Sequence, residues 1–225
     1  MLTYRTFIAI EVPAEIRRQI RAHIDELRAT FPGARASWSR ADNLHLTLKF
    51  LGDVAVSRID GLSQACAQAA RKVDRFELLM AGSGTFPPHG KPKVLWLGVG
   101  YAGFGYAGVP PASTQSRTPP SAMRAGAETI PATTENPLLS LHAAIEDSCA
   151  AAGFAREARP YHPHLTIARL REAKESRELA DYHRQQNLLD LAFTVSEIVL
   201  FKSELSSKGS KHTDLSHCSL GSPDL

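Results

Sequence analysis

Residues 43–51 read Asn-Leu-His-Leu-Thr-Leu-Lys-Phe-Leu. Apolar and polar side chains alternate through it, and Gly52-Asp53 ends it, so it reads as a strand. On a strand, residues i and i+2 share a face. His45 and Thr47 therefore project together, while Leu46 and Leu48 point the other way, toward a core. The pattern returns at His164-Leu165-Thr166-Ile167, where His164 and Thr166 share a face backed by Leu165 and Ile167. In a chain with nine histidines, two His-Leu-Thr segments exceed what composition alone produces and point to a repeated unit.

If two related halves pack about a pseudo-twofold axis, the two His/Thr pairs face each other across a groove. Such a site suits in-line displacement at phosphorus. A neutral imidazole takes a proton from water, and an imidazolium protonates the leaving oxygen; histidine reaches both forms near neutral pH. The threonine hydroxyls donate to non-bridging oxygens as charge develops. A zinc alternative exists, because His162 and His164 have the spacing of a strand-borne metal pair. It needs a third ligand such as His45 or an acid, and it leaves the threonines without a role. The expectation is a site with no metal and no cofactor.

Working outward, Thr6–Val12 is β-branched and aromatic and ends at Pro13. A helix follows to about Arg28, with Ile16, Ile20, Ile24 and Leu27 on one face. Leu62, Cys66, Ala69 and Val73 mark a second helix; Phe76–Met80 and Val94–Val99 read as strands. Order resumes at Pro137, with Leu138, Leu141, Ile145 and Cys149 on a helix face and Gly153 as a C-terminal cap. His164–Leu170 is a strand, 175–187 a helix, Ala192–Leu200 a strand, and Thr213–Leu220 the last strand. Strands and helices without regular alternation favour an α+β fold. Between them, residues 101–136 hold nine glycines and prolines and no leucine. They read as a flexible insertion within a single domain spanning 1–225, because they lack apolar side chains to offset ordering entropy.

Composition limits the function classes. The chain has 225 residues, 43% of them apolar and 22% charged, as a folded globular protein does. A net charge of +3 is too small for a protein that coats duplex nucleic acid, yet allows a local cationic pocket for one phosphate. Cys66, Cys149 and Cys218 are widely spaced, with no CxxC pair, and read as packing residues in a reducing compartment. The opening apolar run is too short for a signal peptide, and no stretch reaches the ~18 apolar residues of a membrane span. A cytoplasmic, monomeric protein with no membrane partner is expected.

At these residues the sequence resembles the 2H phosphoesterase superfamily, specifically the LigT-like RNA 2′,3′-cyclic phosphodiesterases. The segments that carry the resemblance are FIAIEVP, NLHLTLKFLGDV, KPKVLWLGV, YHPHLTIARL and VLFKSEL. The resemblance implies a bilobal α+β fold with two antiparallel-sheet lobes flanking a groove. It also implies hydrolysis of a 2′,3′-cyclic phosphate on RNA 3′ ends or small cyclic nucleotides, giving a 2′-phosphate. His45 would be the general acid and His164 the general base, with Thr47 and Thr166 on the phosphate. Phe50 would stack on a terminal base and Arg169 would bind phosphate. Both of the latter sit at odd offsets from their histidines, so a bulge or strand end must re-aim them. Tyr161 and His162 would line the groove, and Lys49 would add positive potential by sharing the His45 face; His89, in the loop FPPHGKP, reads as a mobile surface histidine, with contact to RNA as the alternative. The same fold also admits RNA 2′–5′ end joining or a nucleotide-binding module without catalysis.

Overall fold

The structure is a computed structural model and describes residues 2–101, 104–107, 136–171, 175–186, 191–206 and 209–221. Two antiparallel sheets carry the chain. The first holds four strands, β1 (Thr3–Glu11), β3 (His45–Ala55), β9 (Glu197–Ser206) and β10 (Gly209–Ser219), in the order β10-β9-β1-β3. The second holds β2 (Ala36–Trp38), β7 (His164–Leu170), β5 (Val94–Tyr101), β4 (Phe76–Phe86) and β8 (Leu191–Val195) in that order. β6 (Phe104–Ala107) pairs back on β5.

Among the described residues, four α-helices cover them: α1 (Ala14–Thr30), α2 (Ile59–Ala70), α3 (Pro137–Ala151) and α4 (Ser176–Gln185). The α1 face is the expected one, Ile16, Ile20, Ile24 and Leu27, with His23 also buried on it. The start of α3 follows from Asn136, whose Oδ1 accepts the Leu138 and Leu139 amides, with Pro137 at the first helical position. Its end follows from Gly153, which adopts φ +79° as the Phe154 amide bonds back to the Cys149 carbonyl at 2.9 Å.

Two apolar cores result. Leu46 and Leu48 enter one with α2, α3 and all three cysteines, which are free and buried. Leu165 and Ile167 enter the other with α1 and α4. A third, small cluster of Phe7, Ala9, Val199 and Phe201 lies on the first sheet.

Several expectations need correcting. The strand expected at Ala192–Leu200 is two strands in different sheets: β8 pairs β4, whereas β9 pairs β1 and β10. Ser196 stands between them, and its carbonyl accepts the Leu220 amide at 2.8 Å. Alternation does not report which sheet a strand joins. The three-residue β2 is too short to show a period. The last strand begins at Gly209, not Thr213, because its early residues are mostly polar. Part of the segment expected to be flexible is strand, since β5 runs on to Tyr101 and β6 pairs with it. The remainder of that insertion, 102–103 and 108–135, lies outside the described residues. Among the described residues, no helix is long and apolar enough to cross a membrane.

Candidate active site

The two motif strands repeat in more than sequence. From the first histidine, the seven residues of each follow one burial order: half-buried, buried, half-buried, buried, buried, exposed, half-buried. The two consecutive buried residues mark a bulge. In β3 the pairing with β1 steps from Ala9↔Thr47 to Ile8↔Lys49 and leaves Leu48 extra. In β7 the pairing with β5 steps from Trp96↔Thr166 to Leu95↔Ala168 and leaves Ile167 extra. One extra residue inverts the face of everything beyond it. Phe50 thereby returns to the histidine side and lies 63% exposed, its ring 5.9 Å from Phe7. Arg169 is exposed by the same device, near enough for its charge to act on His164.

The same bulge overturns the expectation for Lys49. It turns inward, and Nζ donates to both Glu146 carboxylate oxygens, at 2.7 and 2.8 Å, and to the Ala155 carbonyl at 2.9 Å. Buried and paired with Glu146, Lys49 cannot supply potential to the histidine face.

Both histidines are held alike. His45 Nδ1 lies 2.8 Å from the Asn43 carbonyl, and His164 Nδ1 lies 2.7 Å from the His162 carbonyl. A carbonyl only accepts, so each Nδ1 carries the proton and each Nε2 is left as the atom that gives or takes one. The lead-in segments cross-link the strands: Tyr161 Oη donates to the Thr47 carbonyl at 3.2 Å, and Ser39 Oγ donates to the Thr166 carbonyl at 2.8 Å. The β3 and β7 strands themselves touch. Thr47 and Thr166 are half-buried on the histidine faces. Tyr161 stacks on His142 at 4.0 Å, His162 contributes its carbonyl, and His89 stands exposed in the turn after β4. Among the described residues, no three His, Cys, Asp or Glu side chains gather as a metal-holding group.

The surroundings of the two rings differ. His45 stacks on Phe7 at 4.6 Å and meets His212 edge-on at 5.1 Å. His164 meets Phe86 edge-on at 4.9 Å. Burial, then the neighbouring His212, pushes His45 down to about 4 against the opposing pull of the Asn43 carbonyl. Burial also lowers His164, opposed by the His162 carbonyl and reinforced by Arg169. Both are therefore neutral at pH 7 in the free protein, and a bound phosphate anion would draw protons back to them. A cavity of about 240 Å³ opens beside His45, lined in part by Arg40, Asn43, Ser210, Lys211 and His212.

A family model of the 2′-5′ RNA ligase superfamily matches residues 16–206. The chain belongs to the 2′-5′ RNA ligase superfamily. Curated relatives agree in kind. The RNA 2′,3′-cyclic phosphodiesterase of Escherichia coli is 28% identical over 96% of this chain and 96% of its own length. That of Methanothermobacter thermautotrophicus is 27% identical over 94% and 96%. The Geobacillus stearothermophilus protein of the same name is 27% identical over 97% of this chain, which spans only 58% of that protein's length. Among solved structures, Escherichia coli LigT complexed with 3′-AMP superposes with a TM-score of 0.61 at 27% identity, covering 97% of this chain and 99% of that one. TT0787 of Thermus thermophilus superposes with a TM-score of 0.68 at 23% identity over 96% and 97%, a likeness of fold.

In this 2′-5′ RNA ligase superfamily member, the residues that sequence reasoning missed are those that surround the histidines, one just before β3 and two on other strands. Asn43 reads only as the first residue of the motif strand, yet its carbonyl orients His45. Phe7 reads only as part of the β-branched and aromatic strand Thr6–Val12. His212 lies in a polar stretch with no motif, and only the curl of the first sheet brings it to His45.

Proposed function

We propose that the protein hydrolyses the 2′,3′-cyclic phosphodiester of RNA 3′ ends or small cyclic nucleotides to a 2′-phosphate, without a metal. The observation that carries this reading is the pair of equivalent imidazoles, each with Nδ1 tied to the carbonyl two residues before it and Nε2 left for chemistry. The names of the relatives supply the substrate class, and 3′-AMP bound to Escherichia coli LigT supports a nucleotide ligand.

In the proposed step, His164 Nε2 accepts a proton from water as the oxygen attacks phosphorus. The bond from phosphorus to the 3′ oxygen breaks, and His45 Nε2 gives its proton to that oxygen. The products are a 2′-phosphate and a 3′ hydroxyl, and solvent restores the two protonation states. Thr47, Thr166 and Arg169 hold the non-bridging oxygens, and Phe50 offers an exposed ring for a base to stack on. One chain supplies both motifs, so a monomer suffices. Three free buried cysteines fit a reducing cytoplasm.

Product analysis on an oligonucleotide ending in a 2′,3′-cyclic phosphate, with and without EDTA, tests the reading. It predicts a 2′-phosphate product in both conditions. A 3′-phosphate product, or activity lost in EDTA, contradicts it. The family's name favours one second reading, the joining of a cyclic-phosphate end to a 5′ hydroxyl by the reverse reaction. A joined product from half-tRNA ends would establish it, although the concentration of water favours hydrolysis.

A further inference from the structure

The two halves of the site match in strand, bulge, backbone anchor and burial, but the rings around the histidines break the match. The ring edge-on to His164 is Phe86, at 4.9 Å and 84°. The ring edge-on to His45 is His212, at 5.1 Å and 75°. A phenyl ring never titrates, whereas an imidazole does. His212 sits on β10, the far edge of its sheet from β3. The intervening strands bridge the gap with rings: Phe7 stacks on Phe201 at 5.0 Å, and His212 also meets Phe7 edge-on at 5.0 Å. The strand holds His45 in a second way. The Asn43 side-chain amide donates to the Ser210 carbonyl at 2.8 Å, and the Asn43 carbonyl accepts the His45 Nδ1 proton. One strand thus grips both the anchor of His45 and its ring edge.

We propose that His212 is a positioning residue that tunes His45 as an acid: the two rings cannot both carry a charge without repulsion, so a proton drawn onto His45 Nε2 by a bound phosphate is released more readily than it would be beside a phenyl ring. The inference rests on the phosphodiesterase reading for its role in the reaction, but the coupling of the two rings does not. Two imidazolium rings at this separation repel, so loading one discourages loading the other. The low proton affinity of His45, with His212 as its second cause, accords with this. The other charged groups around the pair are Glu11 from β1, Arg40 and Asp42 from the segment before β3, and Lys211 and Asp214 on β10. All five are exposed and act through water, which screens them. Phe7 and Phe201, which pack between the strands, carry no charge. His212 is the titratable ring in direct contact with His45.

The test is an imidazole NMR titration of the full chain, wild type against His212→Phe and His212→Gln, beside pH profiles of kcat/KM on a cyclic-phosphate oligonucleotide. Phenylalanine keeps the edge-on ring, as Phe86 does in the other half. Glutamine keeps polarity and serves if the phenylalanine variant misfolds. In both variants the His45 midpoint should rise by about half a pH unit or more, from two unit charges about 5 Å apart in a near-aqueous medium. The His164 midpoint should stay in place, and one limb of the activity profile should follow His45. A His45 midpoint that does not move, or that moves together with His164, overturns the proposal. Absence of turnover by the wild type would overturn the activity reading instead, and the His45 midpoint would still decide the coupling.

Discussion

Lys49→Met isolates the ion pair that the β3 bulge creates. Lys49 and Glu146 side chains are 2% and 9% exposed, and Nζ uses all three donors, two on Glu146 and one on Ala155. After the substitution, Glu146 keeps, among the described residues, the Glu157 amide at 3.1 Å and His142 Nε2 at 4.0 Å. Removing one partner of a buried pair costs about 3–5 kcal/mol, a large part of a typical ~5–15 kcal/mol margin. The stranded carboxyl takes up a proton more readily folded than unfolded. The loss is therefore smallest at low pH and grows as pH rises through the folded-state value. Replacing both residues, Lys49→Met with Glu146→Leu, removes the uncompensated charge and should recover most of the loss. Urea unfolding at pH 5 and pH 7 measures all of this. The second half of the molecule gives an internal comparison, because Ala168 stands where Lys49 does and β7 bulges with no ion pair. The pair therefore stabilises β3 against α3 rather than making the bulge. A single variant that costs under about 1 kcal/mol, or a double variant less stable than the single, refutes the reasoning.

Acid should weaken the contact between α1 and α4. His183 Nε2 donates to the Trp96 carbonyl at 3.0 Å, and His183 Nδ1 accepts from His23 Nε2 at 3.2 Å. Burial holds His183 down to about 4 and lowers His23 as well. The unfolded chain thus binds more protons, and stability present above pH 6.5 is lost toward pH 4, by roughly 3 kcal/mol through His183; thermal unfolding against pH checks it, with a shallower fall expected in His183→Gln. Phe50→Ala should raise KM for an oligonucleotide several-fold with little change in kcat, since stacking on an aromatic ring is worth about 1–3 kcal/mol per base. Gly84→Ala should destabilise by about 1–3 kcal/mol. Its added carbon would sit 2.1 Å from the Trp96 indole, which is only 5% exposed and boxed in; a denaturant melt reads the loss.

The motif strands were legible because a two-residue period with apolar partners reports face directly; the odd offsets of Phe50 and Arg169 called for a bulge or a strand end without deciding between them. The helices α1 and α3 were legible from their apolar stripes and, for α3, from Pro137 and Gly153. Lys49 was misplaced by the same parity argument, because a face count fails once it crosses the extra residue Leu48. Ser196 shows a different limit: β8 and β9 read as one strand because local pattern carries no record of which ladder each half joins. His212 was beyond reach for a third reason. Its role depends on the curvature of a four-stranded sheet, which brings β10 over to β3, and no local pattern encodes that approach.

The central claim is that His45 and His164 act together as acid and base. Steady-state kinetics of His45→Ala and His164→Ala on a 2′,3′-cyclic-phosphate oligonucleotide in EDTA test it most directly. Each variant should lose about 10²–10⁴-fold in kcat while unfolding at nearly the wild-type temperature. Full activity in either variant contradicts the account.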